Sequence, residues 1–474
     1  MTEESSLFDE MLHPDGSTRR AYQALQNGFF DDSDLKLKKR AVEAETLFRR
    51  TGIVFNVYGD AEGQERLIPF DIVPRILDAA EWDVIERGVI QRIGALNQLV
   101  HDLYHDREIV AAGILPVPLL ARNEAFLPQM IGVEPPGGIY SHIAGIDLVR
   151  TGADEFVVLE DNLRTPSGVS YMLENRETML HLFPQLFEEA QVRRVHDYAQ
   201  QLRRCLAASA PEGVEDPTIC VLTPGIYNSA YFEHAFLADE MGVELVEGRD
   251  LQLHNGRIAM RTTTGFETVD VIYRRIDDSF LDPMTFLPES VVGVAGVMDV
   301  YRAGRITLAN APGAGIADDK AVYSYVPDII RFYCDEEPIL SNVETWRCSE
   351  PDQLAWVLEN LSELVVKEVH GSGGYGMLIG PTSSAAEVEA FRAKLIANPG
   401  GYIAQPTLAL STVPILTEAG LAPRHVDLRP FVLSSPGLTQ VTPGGLTRVA
   451  MVEGSLVVNS SQGGGTKDTW VLQS

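Results

Sequence analysis

The run LVVKEVHGSGGYGMLIGP, residues 364–381, places the strongest constraint on the fold. An apolar segment reads as a strand ending in Lys367, and a second apolar segment returns after a loop holding Gly371, Ser372, Gly373, Gly374, Tyr375 and Gly376. Glycine at four of those six positions removes the Cβ atoms that would keep backbone N–H groups away from an anion. Lys367 adds a compact positive charge of the kind that pairs with phosphate. No GK[ST] follows, which excludes a P-loop, and a strand rather than a helix comes next, which excludes the dinucleotide fingerprint. The segment is therefore a phosphate-covering hairpin or a plain flexible connection.

A second constellation lies some two hundred residues earlier. Asp147 in GIDLVR (145–150) precedes Glu160 in VLEDNLRTPSG (158–168) by thirteen positions, and Asn162 follows. Both segments read as strands with polar ends, so pairing would bring three hard oxygen donors to one sheet edge, with Arg164 close by. Mg²⁺ on a nucleotide triphosphate needs such a set, since the phosphates supply the remaining ligands. The alternative is two strand-end acids and an asparagine capping a turn. Asp161, between the proposed ligands, should point to the other face.

Together these segments resemble the ATP-grasp superfamily, and within it the circularly permuted ATP-grasp proteins, some of them glutathionylspermidine synthase-like. The usual order is reversed here, with the metal segment ahead of the glycine loop. A chain can be cut and rejoined in this way when the old termini lie close together. Further blocks carry the resemblance: NAPGAGIADDKAVYSYVP (310–327), GYIAQPTLALSTVP (401–414), RHVDLRPFVL (424–433) and EGSLVVNSSQGGGTKDTWVL (453–472). The resemblance implies an α/β multidomain, circularly permuted ATP-grasp fold with a small Rossmann-like βαβ domain ahead of the nucleotide lobe. It implies ATP and two Mg²⁺ ions, the metal held by Asp147, Glu160 and Asn162. Lys320, Lys367, the loop 371–376 and Gln405 would hold nucleotide, with Arg164 and Arg429 acting on the transferring charge. Asn459 and Lys467, flanking Gly463–Gly465, would contact substrate.

Composition agrees with a large globular enzyme. The 474 residues suggest roughly two to four structural units. Four scattered cysteines form no C-x-x-C pair, so neither zinc ribbons nor a disulfide framework is expected, and a reducing cytoplasm is. No apolar run approaches membrane-spanning length. A formal charge of −29, from 38 basic and 67 acidic residues, opposes nonspecific nucleic-acid binding. Local cations such as Lys320, Lys367, Arg164 and Arg429 can still reverse the field at one site.

Along the chain, residues 1–40 read as a polar extension, poorly ordered at its start. Residues 41–215 read as a mixed α/β region carrying the metal ligands, 216–315 as a smaller α/β domain, and 316–474 as the ATP-binding part with its glycine lid. VIERGVIQRIGALNQLVHDLYHD reads as a long amphipathic helix, on which His101 and His105 form a solvent-facing pair, since HDLYH lacks the Glu of HExxH. TICVLTPG, SAYFEHAFLADEMG and VELVEG read as strand, helix and strand of a parallel unit. VIYRRIDDSFLDP (271–283) ends that unit's next strand with Arg274 and Arg275, which either hold a substrate carboxylate or form a salt-bridge cluster.

The chemistry the resemblance implies is ligation of a carboxylate, on a small molecule, peptide or protein, to an amine through an acyl phosphate. It also associates the chain with α-helical and transglutaminase-like protein partners. No side-chain nucleophile is required, and His370 beside the glycine loop is either a base or a structural hydrogen-bonding group. A phosphotransferase and a noncatalytic nucleotide-binding scaffold are the competing readings.

Overall fold

The computed structural model describes residues 7–25, 29, 33–56, 65–371, 376–459 and 462–473. Among these, the largest sheet has ten strands, and its central path runs Ser341–Asn342, Glu155–Asn162, Ile143–Gly152, Gly420–Arg429, Leu446–Val449, Gly465–Val471 and Phe70–Leu77. Residues from 70 to 471 thus meet in one sheet. The antiparallel hairpin Ile143–Gly152/Glu155–Asn162 lies within it. Its apolar side chains Ile146, Leu148 and Val158 are buried against the long helix Ala79–Tyr104. That helix starts at a capping box between Asp78 and Glu81, which satisfies backbone N–H groups that have no intrahelical acceptor.

A four-stranded antiparallel sheet follows the order Trp346–Arg347, Tyr402–Pro406, Leu364–Glu368 and Leu378–Ile379. Helices Pro351–Asn360 and Ala385–Ala397 contribute Val357, Phe391 and Leu395 to its apolar core. The expected strands therefore flank the glycine segment. Residues 372–375, which include Ser372, Gly373, Gly374 and Tyr375, lie outside the described residues.

Four parallel strands form a third sheet, ordered Thr307–Ala309, Val271–Arg274, Ile219–Leu222 and Glu244–Val246. Helix Tyr231–Met241 connects two of them and ends at Gly242, whose φ of 64° suits the left-handed closing turn. The expected strand–helix–strand order is present here. Its core is continuous with that of the large sheet, since Ile272 and Leu308 share one buried cluster with Leu99 and Ile146.

The N-terminal segment departs from the polar, partly disordered extension expected over 1–40. Glu10 is fully buried, with its carboxylate 2.6 Å from Arg75 Nη2, and Tyr22, Leu25 and Phe29 pack in a cluster with Trp470. A single buried ion pair and a few aromatic anchors leave little periodic signal in the sequence. Residues 1–6 lie outside the described residues. Among the described residues, no helix is long and apolar enough to cross a membrane.

Candidate active site

Asp147 and Glu160 sit directly opposite each other in the hairpin register, and Asn162 sits opposite Gly145. The register shifts just after Asp147, where Leu148 faces Val158, so the strand holds an extra residue at Leu159. A bulge of this kind re-aims side chains locally. Leu159, Glu160 and Asn162 all face a cavity of about 380 Å³. Asp161 turns to the opposite face, where Arg92 holds both of its carboxylate oxygens at 2.6 and 2.7 Å.

Asp147 is almost fully buried. Burial alone would raise its pKa, but the guanidiniums of Arg429 and Arg448 outweigh that and hold it at about 2. Arg429 reaches Asp147 Oδ2 at 2.7 Å through Nη2, and Arg448 Nη2 lies 2.8 Å from the same oxygen. Arg448 also binds Asp427, its direct partner in the register, and Asn459 Oδ1 at 3.1 Å. Asp427 and Arg448 were not singled out in the sequence. Asp427 was within reach, because it lies two residues from Arg429 on one strand and so shares its face. Arg448 had no such signal, since only strand register brings it in.

From the other side, Lys320 opens the short helix Lys320–Tyr323, whose cap Asp319 accepts from the N–H groups of Ala321 and Val322. Lys320 Nζ lies 2.7 Å from Glu160 Oε1 and donates to the Gly371 carbonyl at 2.6 Å. Lys367 donates to Gln405 Oε1 at 2.7 Å, and Gln405 in turn donates to Thr345 Oγ1 at 3.0 Å. Desolvation lowers the pKa of Lys367 to about 8, with Glu160 opposing that shift and Lys320 reinforcing it. Asp147, Glu160, Asn162, Lys320, Lys367, Gly371, Gln405, Arg429 and Asn459 therefore line one cavity. Gly376 lies just outside, with φ 70° and Glu368 where a Cβ would go.

The all-oxygen donor set of Asp147, Glu160 and Asn162 fits a hard divalent cation. Asn162 also has a buried amide nitrogen with no hydrogen-bond partner, a donor left for an acceptor such as a phosphate oxygen.

Four expected residues lie elsewhere. Arg164 is 41% exposed and faces Asp277 and Asp318 at 3.7 and 3.8 Å, away from the cavity lining. Asp318 beside it is pushed up to about 7, chiefly by burial. Arg274 is fully buried and gives its donors to the carbonyls of Asn310, Ile276 and Ala311 and to Asp278. Arg275 binds the Pro166 carbonyl at 2.7 Å and Glu233 at 3.2 Å, and Glu233 accepts from the N–H groups of Gly168 and Ser170 at the start of helix Val169–Leu182. The salt-bridge reading of that pair is the one the contacts match. Lys467 is corrected likewise: with none of its side chain exposed, it is held by Asp71 at 2.7 Å and by the carbonyls of Val73 and Pro414. Strand alternation could not reveal this, because both faces of Gly465–Val471 are buried. His370 lies 3.3 Å from Asp319 through Nδ1.

A family model described as circularly permuted ATP-grasp type 2 matches residues 74–450. An uncharacterized protein of Mycobacterium tuberculosis is 52% identical over 465 residues, covering 98% of this chain and 84% of that protein. One from Synechocystis is 50% identical over 468 residues, covering 99% and 97%. A Frankia alni protein provisionally named a glutamate–cysteine ligase is 43% identical over 98% of this chain, which spans only 54% of it. A solved structure of a glutathione synthetase-like effector from Globodera pallida, in its apo form, aligns over 94% of this chain and 99% of its own with a TM-score of 0.60. At 10% identity that likeness speaks to the fold alone. With the match extending over most of its length, this chain belongs to the circularly permuted ATP-grasp type 2 family.

Proposed function

We propose that the protein joins a carboxylate to an amine at the expense of ATP, through an acyl phosphate. The observation that carries this reading is the convergence of Asp147, Glu160 and Asn162 with Lys320 and Lys367 on one cavity. A cavity of about 380 Å³ matches the size of small-ligand sites. The family uses ATP with Mg²⁺ in general, and the three oxygen donors would hold two such ions. Mg²⁺ bound there would neutralise phosphate charge during transfer.

The chain's own residues do the rest. Lys320 and Lys367 bind the triphosphate, and Gln405 holds the Lys367 ammonium in place. Arg429 and Arg448 supply planar forks that can exchange part of their hold on Asp147 for the substrate carboxylate or the transferring phosphoryl group, with Asn459 orienting Arg448. The carboxylate oxygen attacks the γ-phosphorus and ADP leaves. The amine then attacks the acyl carbon and phosphate leaves, giving the amide. The apolar wall of Leu446, Leu456, Val457 and Val458 limits water at the acyl phosphate. The name of the Frankia relative supports an amino-acid-like carboxylate, although it belongs to a protein of nearly twice this length.

The test is ADP and phosphate release by purified protein with MgATP across amino acids, peptides and polyamines. Release that needs both a carboxylate and an amine, and is lost in Glu160→Ala, is the expected result. Release with a hydroxyl acceptor and no amine would replace ligation with phosphotransfer, and nucleotide binding without any turnover would favour a scaffold.

A further inference from the structure

His101 and His105 stand one turn apart at the end of helix Ala79–Tyr104, with rings stacked at 4.2 Å between centroids. Glu134, in the loop leading to the Asp147 strand, meets both: its Oε2 lies 3.1 Å from His101 Nε2 and 3.4 Å from His105 Nε2. His105 Nδ1 lies 2.9 Å from the His101 carbonyl oxygen. A carbonyl can only accept, so Nδ1 carries the proton, and a neutral His105 points its Nε2 lone pair at the Glu134 carboxylate. Two lone pairs in opposition need a positive species between them, either a proton or a metal ion.

The spacing fits the metal. Tetrahedral coordination with zinc–ligand bonds of about 2.0–2.1 Å sets neighbouring ligand atoms about 3.3 Å apart. The two observed nitrogen–oxygen separations bracket that value, and all three ligand atoms lie within 4.8 Å of one another. A tilt of the half-exposed His101 ring away from its near-parallel stack, 9° from His105, would turn both Nε2 lone pairs toward one ion. The loop that carries Glu134 is held to the helix end by contacts of its own. Gly132 N–H bonds the Tyr104 carbonyl at 2.8 Å, Tyr140 donates to the Val133 carbonyl at 3.1 Å, and Pro135 and Pro136 stiffen the chain after Glu134.

We propose that His101, His105 and Glu134 form a site for a zinc-like divalent transition metal, separate from the nucleotide cavity, with solvent as the fourth ligand. Bound metal would clamp the 132–140 loop to the helix end. This inference does not depend on the ligase reading.

Zinc chloride titrated into metal-stripped full-length protein, followed by calorimetry and by metal analysis after dialysis, tests it. One zinc per chain is expected, with affinity falling about tenfold or more in His105→Ala and in Glu134→Gln and unchanged in Glu160→Ala. Circular dichroism in EDTA verifies that each variant is folded; Glu134 is 59% exposed, so its substitution leaves the core intact. Absence of zinc binding, or equal binding in wild type and both variants, would overturn the proposal and leave a protonated histidine as the bridge.

Discussion

Arg448 Nη2 lies 2.8 Å from Asp147 Oδ2 while the same guanidinium binds Asp427 across the sheet. One cation thus bridges two buried acids from different strands, while Arg429 supplies the second countercharge at Asp147. Burial, with the nearby charge of Asp147, raises Asp427 above its ordinary range despite Arg448 and Arg429, whereas direct contact with both guanidiniums holds Asp147 at about 2. Arg429 adds a second direct guanidinium contact to Asp147, which favours its anionic form.

Replacing Arg448 with Met leaves both acids short of countercharge. Breaking a buried pair from one side costs about 3–5 kcal/mol. Urea denaturation of Arg448→Met should show a loss of that order, and Arg448→Met with Asp427→Asn should recover part of it. Strict additivity of the two changes would contradict the coupling.

Asp147 also sets an acid limit on stability. Its pKa falls from 3.8 to about 2 on folding, so the unfolded chain binds the proton more tightly. The resulting stabilisation, about 2 kcal/mol, is present above pH 4 and is lost as pH falls toward 2. Urea midpoints measured between pH 2 and 6 should fall less steeply in Asp147→Asn than in wild type.

Lys367 titrates on the other side of neutrality. With its folded-state pKa near 8 against an ordinary 10.5, it loses its charge above pH 8 while the unfolded chain still holds the proton. Stability from this group therefore rises between pH 8 and 10.5, while phosphate binding weakens. The dissociation constant of nucleotide should increase up to about tenfold from pH 7 to pH 9. Lys367→Arg should flatten that profile; an unchanged profile would remove Lys367 from the nucleotide site.

Lys467→Met separates a structural lysine from a substrate-binding one. Asp71 would be left buried without its ammonium, and stability should drop by about 3–5 kcal/mol. Lys467→Met with Asp71→Asn should regain much of that loss, with an unchanged KM for substrates. A raised KM in a fully folded double variant would restore the substrate role.

The site was legible wherever chemistry is concentrated in a short segment. Asp147, Glu160, Asn162, Lys367 and Gly371 were read from local runs, Lys320 and Gln405 from the family resemblance, and all of them line one cavity. Arg274 and Lys467 look equally available in one dimension. Their burial comes from carbonyls and acids supplied by distant strands, which no periodicity encodes.

By itself the sequence determined the strands around Asp147, Glu160 and Lys367 and the glycine loop that follows Lys367. These follow from local rules, since apolar alternation makes strands and glycine runs make close approaches, whereas the permuted order, Lys320 and Gln405 came from the family resemblance. Only the tertiary structure decided which charges pair. Arg448 reaches Asp147 and Asp427, Lys467 is spent on Asp71, Glu10 on Arg75, and Glu134 meets His101 and His105, because ion pairing depends on distance in space and sheet register sets that distance.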